Sequence, residues 1–207
     1  MTRIGWAALV AAVLASAYSI AEAIAAPIIG HPLIDQESGP NPALATVGAL
    51  LISTFALGVA VLWEQAERID AGSSFRRWVR RLLQAALAAL ALISGLGMVA
   101  ERIAPDGLVS QLDGAGSIPF LSMFVLGATL GISLIRRPQL RAAAYCLAAI
   151  AALIPLTVLT GILLPGWAHV AYAETALYIG LALLARTPRP DKSAGPAPQP
   201  TAAGLTA

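Results

Sequence analysis

The chain reads as all-α: a polytopic membrane bundle of six transmembrane helices with both termini on the cytoplasmic side. Three observations lead there. Of its 207 residues, 58% are hydrophobic and only 12% charged, with a mean hydropathy of +0.78, whereas a water-soluble domain of this size needs a charged exterior. Six apolar stretches come close to the roughly 20 residues that cross about 30 Å of hydrocarbon. Finally, twelve of the thirteen Lys and Arg residues flank those stretches in alternation, so that one side collects nearly all positive charge. Short loops rich in Lys and Arg stay cytoplasmic, which fixes the orientation.

The first span is expected from Ile4 to Ala26, with Arg3 before it, and the second from Ala43 to Trp63. Arg68, Arg76, Arg77, Arg80 and Arg81 follow, ahead of a third span from Leu82 to Ala100. The fourth covers Ile118 to Ile135 and ends on Arg136 and Arg137; the fifth, after Arg141, covers Ala142 to Leu164. The sixth runs from Ala168 to Ala185, followed by Arg186, Arg189 and Lys192. Arg102 alone breaks the alternation. Trp6, Trp63 and Trp78 fall at the inner boundary and Trp167 at the outer one, where amphipathic rings settle.

Three connections then lie outside: Gly30 to Pro42, Glu101 to Ser117, and the turn from Pro165 to Trp167. Inside, SSFRRWVRRLL sets four arginines around Phe75, Trp78 and Val79, a pattern suited to an anionic lipid surface and equally to a plain topology anchor. Residues 1–186 form the membrane domain. Residues 187–207, rich in Pro, Ala and Gly, are expected to be a disordered cytoplasmic tail. The Ala15–Ala17 and Ala21–Ala23 patterns resemble a signal cleavage site, but apolar character continues to Ile29, which favours a retained first span.

Small residues and interhelical hydrogen bonds must bring helices together in lipid. Gly127 and Gly131 form a GxxxG pair, Gly48, Ser53 and Gly58 mark the second span, and Gly95 and Gly97 flatten the third. Pro155 should kink the fifth, with Thr157 and Thr160 placed to re-satisfy the gap.

Ionisable residues inside spans carry the functional information, since a carboxylate near hydrocarbon costs several kcal/mol unless it has a partner. Glu22 lies late in span one and Glu174 early in span six, both toward the outer side. Tyr18 and Tyr178 each stand four residues deeper, on the same helix face. If spans one and six are neighbours, these four residues form a polar pocket capable of acid or base chemistry, with Glu22 and Glu174 as candidate catalytic groups. The bland reading puts the carboxylates at the headgroup level and the tyrosines in an aromatic belt. The rim would draw on His31, Asp35, Glu37, Glu101, Asp113, His169 and Tyr172. Their spacing matches no metal motif, so no metal and no cofactor is expected. Cys146 is the only cysteine, which excludes an intramolecular disulfide and a cysteine metal cluster. No nucleophile elbow, phosphate loop or HExxH helix occurs.

In the order of its parts the chain resembles a family of bacterial multispan membrane proteins, the domain-of-unknown-function family 998. The resemblance rests on GWAALVAAVLASAYSIAEAIAAPII, on a Gly-Pro-Asn-Pro turn entering ALATVGALLISTFALGVAVL, on GLGMVAERIAPDG before QLDGAGSIPFLSMFVLG, and on the closing GWAHVAYAETALYIGLALL. It departs where a histidine is expected before the Gly-Ala pair of the fourth span, because Asp113 stands there. The likeness implies six helices in a bacterial inner membrane and no particular reaction.

Three functions follow from this reading. One is a noncatalytic bundle that binds a membrane lipid or lipid-soluble amphiphile, or assists a membrane complex. Another is an intramembrane cyclase or isomerase in which Glu22 or Glu174 donates a proton to an isoprenoid-like substrate. A small transporter is the third, disfavoured by few spans and few mid-membrane charges. Nucleic acid is not an expected partner, because topology accounts for the basic residues.

Overall fold

The computed structural model describes residues 2–34, 42–103, 108–164 and 166–186, the side chains of residues 101–113 excepted. Among the described residues the protein is helical throughout, with no strand. Its elements are α1 (Arg3–Ile29), α2 (Pro42–Glu64), the short α3 (Ala66–Asp70), α4 (Ser74–Ile103), α5 (Leu108–Leu134), a 3₁₀ turn (Pro138–Leu140), α6 (Arg141–Leu163) and α7 (Ala171–Arg186). Five of these, α1, α2, α4, α5 and α6, are long and apolar enough to cross a membrane. The sixth apolar stretch forms α7, whose sixteen residues span about 24 Å at 1.5 Å per residue.

The long helices close into a ring in the order α1, α2, α4, α5, α6, α7 and back to α1, and α7 also reaches α2 and α5. Neighbours run antiparallel. Thr2 at the start of α1 donates to Glu64 Oε2 at the end of α2 at 3.0 Å, and Gly48 early in α2 faces Met98 late in α4. Every arginine whose side chain is described therefore lies at one end of the bundle, while Glu22 and Glu174 lie toward the other. α7 is the most enclosed element, with nine of its sixteen residues buried. By contrast, α6 presents Leu156, Val158, Leu159, Ile162 and Leu163 outward.

Glycine sets how closely these helices approach. A Cβ on Gly131 would overlap the Ala148 backbone, one on Gly127 would sit 2.8 Å from Leu177, and one on Gly180 2.7 Å from Leu147. The GxxxG pair is thus spent inside one chain, on α6 and α7. Gly95 and Gly97 do not pack as expected: a Cβ on either would meet nothing within 4 Å.

Three further expectations are corrected. The connection from Glu101 to Ser117 is largely helical, because α4 continues to Ile103 and α5 begins at Leu108, where Leu108, Val109 and Leu112 fall at helical spacing. The third span, expected from Leu82, is preceded without a break by the SSFRRWVRRLL segment, which is helical as well from Ser74. That segment is the start of α4, since neither Gly nor Pro interrupts the buried stripe Val79, Leu83, Ala86, Leu87 and Leu90. Phe75, Trp78 and Leu82 project outward beside that stripe. Finally, Thr157 and Thr160 donate to the Leu153 and Leu156 carbonyls at 2.9 and 2.8 Å, and not to the Ala151 carbonyl that Pro155 leaves without its usual donor.

Candidate functional site

The face that α1 turns to its neighbours is a stripe of small residues: Gly5, Ala8, Ala12, Ala15, Ser16, Ser19 and Ala23. Recurring every three or four positions, they let α7 approach closely, and the two serines add polarity to an otherwise apolar seam. Opposite them, α7 begins at Ala171. The His169 ring Nδ1 accepts the Ala171 N–H at 3.1 Å, taking up one of the free donors at the start of that helix. His169, one residue ahead of the N-cap position Val170, thereby closes off the first N–H of α7.

Glu174 stands in the first turn of α7, half-buried. Its Oε2 accepts a hydrogen bond from Ser19 Oγ at 3.2 Å, joining the first and last helices of the chain through a contact 155 residues apart in sequence. One turn deeper on each helix lie Ser16 and Tyr178, which are 6% and 2% exposed. Their hydroxyl oxygens are buried without a hydrogen-bond partner, as is that of Thr175. The Tyr178 ring meets Phe55 of α2 edge-on, with centroids 6.1 Å apart. The seam thus carries a carboxylate and, one turn deeper, the two unanswered hydroxyls of Ser16 and Tyr178, at a cost of about 1 to 3 kcal/mol for each group left unpaired.

Glu22 faces another partner. Its two carboxylate oxygens accept the Leu33 backbone N–H at 3.3 and 3.1 Å, which anchors the chain after the Gly30 cap of α1. Tyr18 and Tyr172 are half-buried, and His31 is exposed with its Nδ1 2.9 Å from the Pro32 carbonyl. Of the expected pocket, Glu174 and Tyr178 come together on the α1–α7 seam while Glu22 is engaged with its own helix end. Asp35, Glu37 and the tail lie outside the described residues, as do the side chains of Glu101 and Asp113. Among the described residues no group of three His, Cys, Asp or Glu side chains is placed to hold a metal ion.

The opposite end holds a polar network that spacing did not reveal. Arg80 Nε and Nη2 donate to Asp70 Oδ1 and Oδ2 at 2.8 and 2.9 Å, with both side chains nearly buried. Arg80 Nη1 donates to Gln84 Oε1 at 2.8 Å, and Gln84 Nε2 reaches the Val59 carbonyl at 3.3 Å. Arg76 closes the end of α3, donating to the Ile69 and Asp70 carbonyls at 2.9 to 3.2 Å. This network clips α3 to α2 and α4. A concavity of about 500 Å³ also lies at this end, between α1 and α2, lined by Ile4, Ala56, Val59, Ala60, Trp63 and Glu64.

Ser16, Ser19, Thr175 and Phe55 are the site residues that sequence reasoning missed. For the serines a signal existed, since both fall on the alanine stripe of α1 at helical spacing. Compared with family models, curated proteins and solved structures, the chain finds no match.

Proposed function

We propose that this is a six-span membrane protein with both termini on the cytoplasmic side of a bacterial cell membrane, of the kind the resemblance to family 998 implies, and that it binds a lipid or other amphiphile. One observation carries the binding reading: Glu174 bonded to Ser19 between α1 and α7, one turn from the buried, unpartnered hydroxyls of Ser16 and Tyr178. A polar end of a ligand answers these groups, and its apolar remainder is at home among the surrounding helices. That α7 crosses the membrane is supported by its enclosure within the ring and by the four residues from Trp167 that lead into it. Membrane lipids are the natural pool of such ligands.

The binding reading is tested by extracting purified protein with organic solvent and identifying what it retained. Wild-type protein should hold one amphiphile in roughly stoichiometric amount, and Ser19→Ala or Glu174→Gln should deplete it. Identical bulk lipid profiles in all three would refute the proposal.

The second reading is an acid/base enzyme acting on an isoprenoid-like substrate, and it is supported by the same carboxylate standing one helical turn from a tyrosine hydroxyl. Under that reading Glu174→Gln retains the amphiphile and loses turnover, whereas a binding protein shows no turnover to lose.

A further inference from the structure

We propose that the α1–α7 centre receives a primary ammonium group carried by a membrane-soluble amphiphile, with Glu174 as counter-charge and the Ser16 and Tyr178 hydroxyl oxygens as further acceptors. This rests on the amphiphile-binding reading and adds the chemistry of the head group.

Charge is the first argument. From α1, the ionisable groups toward this end are Tyr18 and Glu22; from the α7 segment they are His169, Tyr172 and Tyr178. The corresponding halves of α2 and α6, Pro42 to Leu51 and Ala151 to Leu163, contain no ionisable residue, and neither does α5 from Gly114 to Phe124, while the facing ends of α4 and α5 carry Glu101, Arg102 and Asp113. Every described arginine side chain is at the opposite end, and His169 uses its Nδ1 to accept the Ala171 N–H. The start of α7 offers roughly half a positive charge. Among the described side chains no Lys or Arg stands at this end to complement Glu174, and a cationic ligand group would do so.

Hydrogen-bond arithmetic is the second. An ammonium carries three donors and no acceptor. The centre offers Glu174, Ser16 Oγ and Tyr178 Oη, and the latter two have no partner of their own. An alcohol brings a single donor, and a carboxylate or phosphate head would meet the negative charge of both Glu174 and Glu22. Glu174 and Tyr172 are only half-buried, which leaves a way in from that end of the bundle.

A primary ammonium reaches such a site from a free long-chain amine or from an ethanolamine phospholipid, and one experiment separates them. The full chain in neutral detergent is titrated with dodecylamine, dodecanol, dodecanoate, phosphatidylethanolamine and phosphatidylglycerol, with adducts read by native mass spectrometry. A single dodecylamine adduct per chain is expected, weakened about tenfold or more by Glu174→Gln and several-fold by Tyr178→Phe, which keeps the ring. Glu22→Gln should change it little. Phosphatidylethanolamine retained with the same variant pattern identifies the lipid as source; dodecylamine alone identifies the free amine. Dodecanol binding as well as the amine, or unchanged amine binding in Glu174→Gln, overturns the ammonium assignment and leaves the amphiphile reading standing. No adduct with any of the five overturns both. If Glu174→Gln is not monodisperse, Tyr178→Phe and Ser16→Ala carry the comparison.

Discussion

Arg80 and Arg81 are equivalent to a topology argument, one charge each on the same side, yet their surroundings are opposite. Arg81 is exposed; Arg80 is 6% exposed and bonded through both Nε and Nη2 to Asp70. Removing Arg80 leaves Asp70 only the longer, exposed contact to Arg77 at 3.7 Å, and breaking a buried pair costs up to about 3 to 5 kcal/mol. Arg80→Ala should therefore unfold at much lower denaturant or temperature, while Arg81→Ala stays within about 0.5 kcal/mol of the parent. The double substitution Asp70→Ala with Arg80→Ala should cost less than the sum of the two single ones. Equal, small effects at positions 80 and 81 would show that both serve orientation alone. His169 makes a similar point at the other end. Because it accepts the first N–H of α7, its replacement by Ala should cost about 0.5 to 2 kcal/mol in a detergent melt, with Ala171 losing its acceptor. Neither role was legible in the sequence, because charge patterning assigns a residue to a side of the membrane and says nothing of which partner the tertiary fold brings to it.

Helix packing was more readable where residues are small at regular spacing, and misleading where small residues are merely present. Gly127 and Gly131 recur one turn apart and are indeed a close-approach surface. Gly95 and Gly97, two apart, point to different sides of α4 and meet nothing. The pair predicts contrasting outcomes. Gly131→Val must push back the Ala148 backbone, which has no rotamer to change, and should break the α5–α6 contact, read as loss of the folded monodisperse species. Gly95→Ala should be neutral or mildly stabilising, by up to about 1 kcal/mol from helix propensity. The α1–α7 seam follows the same logic. Its alanine stripe went unread in the sequence, and such a stripe would not by itself have said which helix of the bundle α1 meets. Which one it meets is fixed by ring closure, visible only once Ser19 and Glu174 are seen to touch.

For the bundle as a whole, hydropathy located all the apolar helices and the arginines grouped their ends, since both depend on transfer energies that a local window captures. Less accessible was how helices continue past the apolar window, as α4 does toward Ser74 and α5 toward Leu108, where propensity and packing decide. The consequential question is whether α7 crosses the membrane. Five helices meet the length and hydropathy expected of a span, and at about 24 Å α7 falls short of the roughly 30 Å of hydrocarbon. A short helix is tolerated if it is shielded from lipid, and nine buried residues of sixteen, with α1, α2, α5 and α6 around it, give that shielding. Arg186 at its end joins Arg3, Arg77 and Arg136 at one end of the bundle. Six crossings therefore predict that reporters fused after Arg186 and inserted near Gly72 report the same, cytoplasmic, compartment, and that one inserted after Gly30 reports the opposite side. With five crossings the fusion after Arg186 would switch sides and share a compartment with Gly30. That result would also place Glu174 outside the hydrocarbon and remove the energetic reason for giving it a ligand. The fusion after Arg186 thus tests the membrane architecture and the setting of the polar centre together.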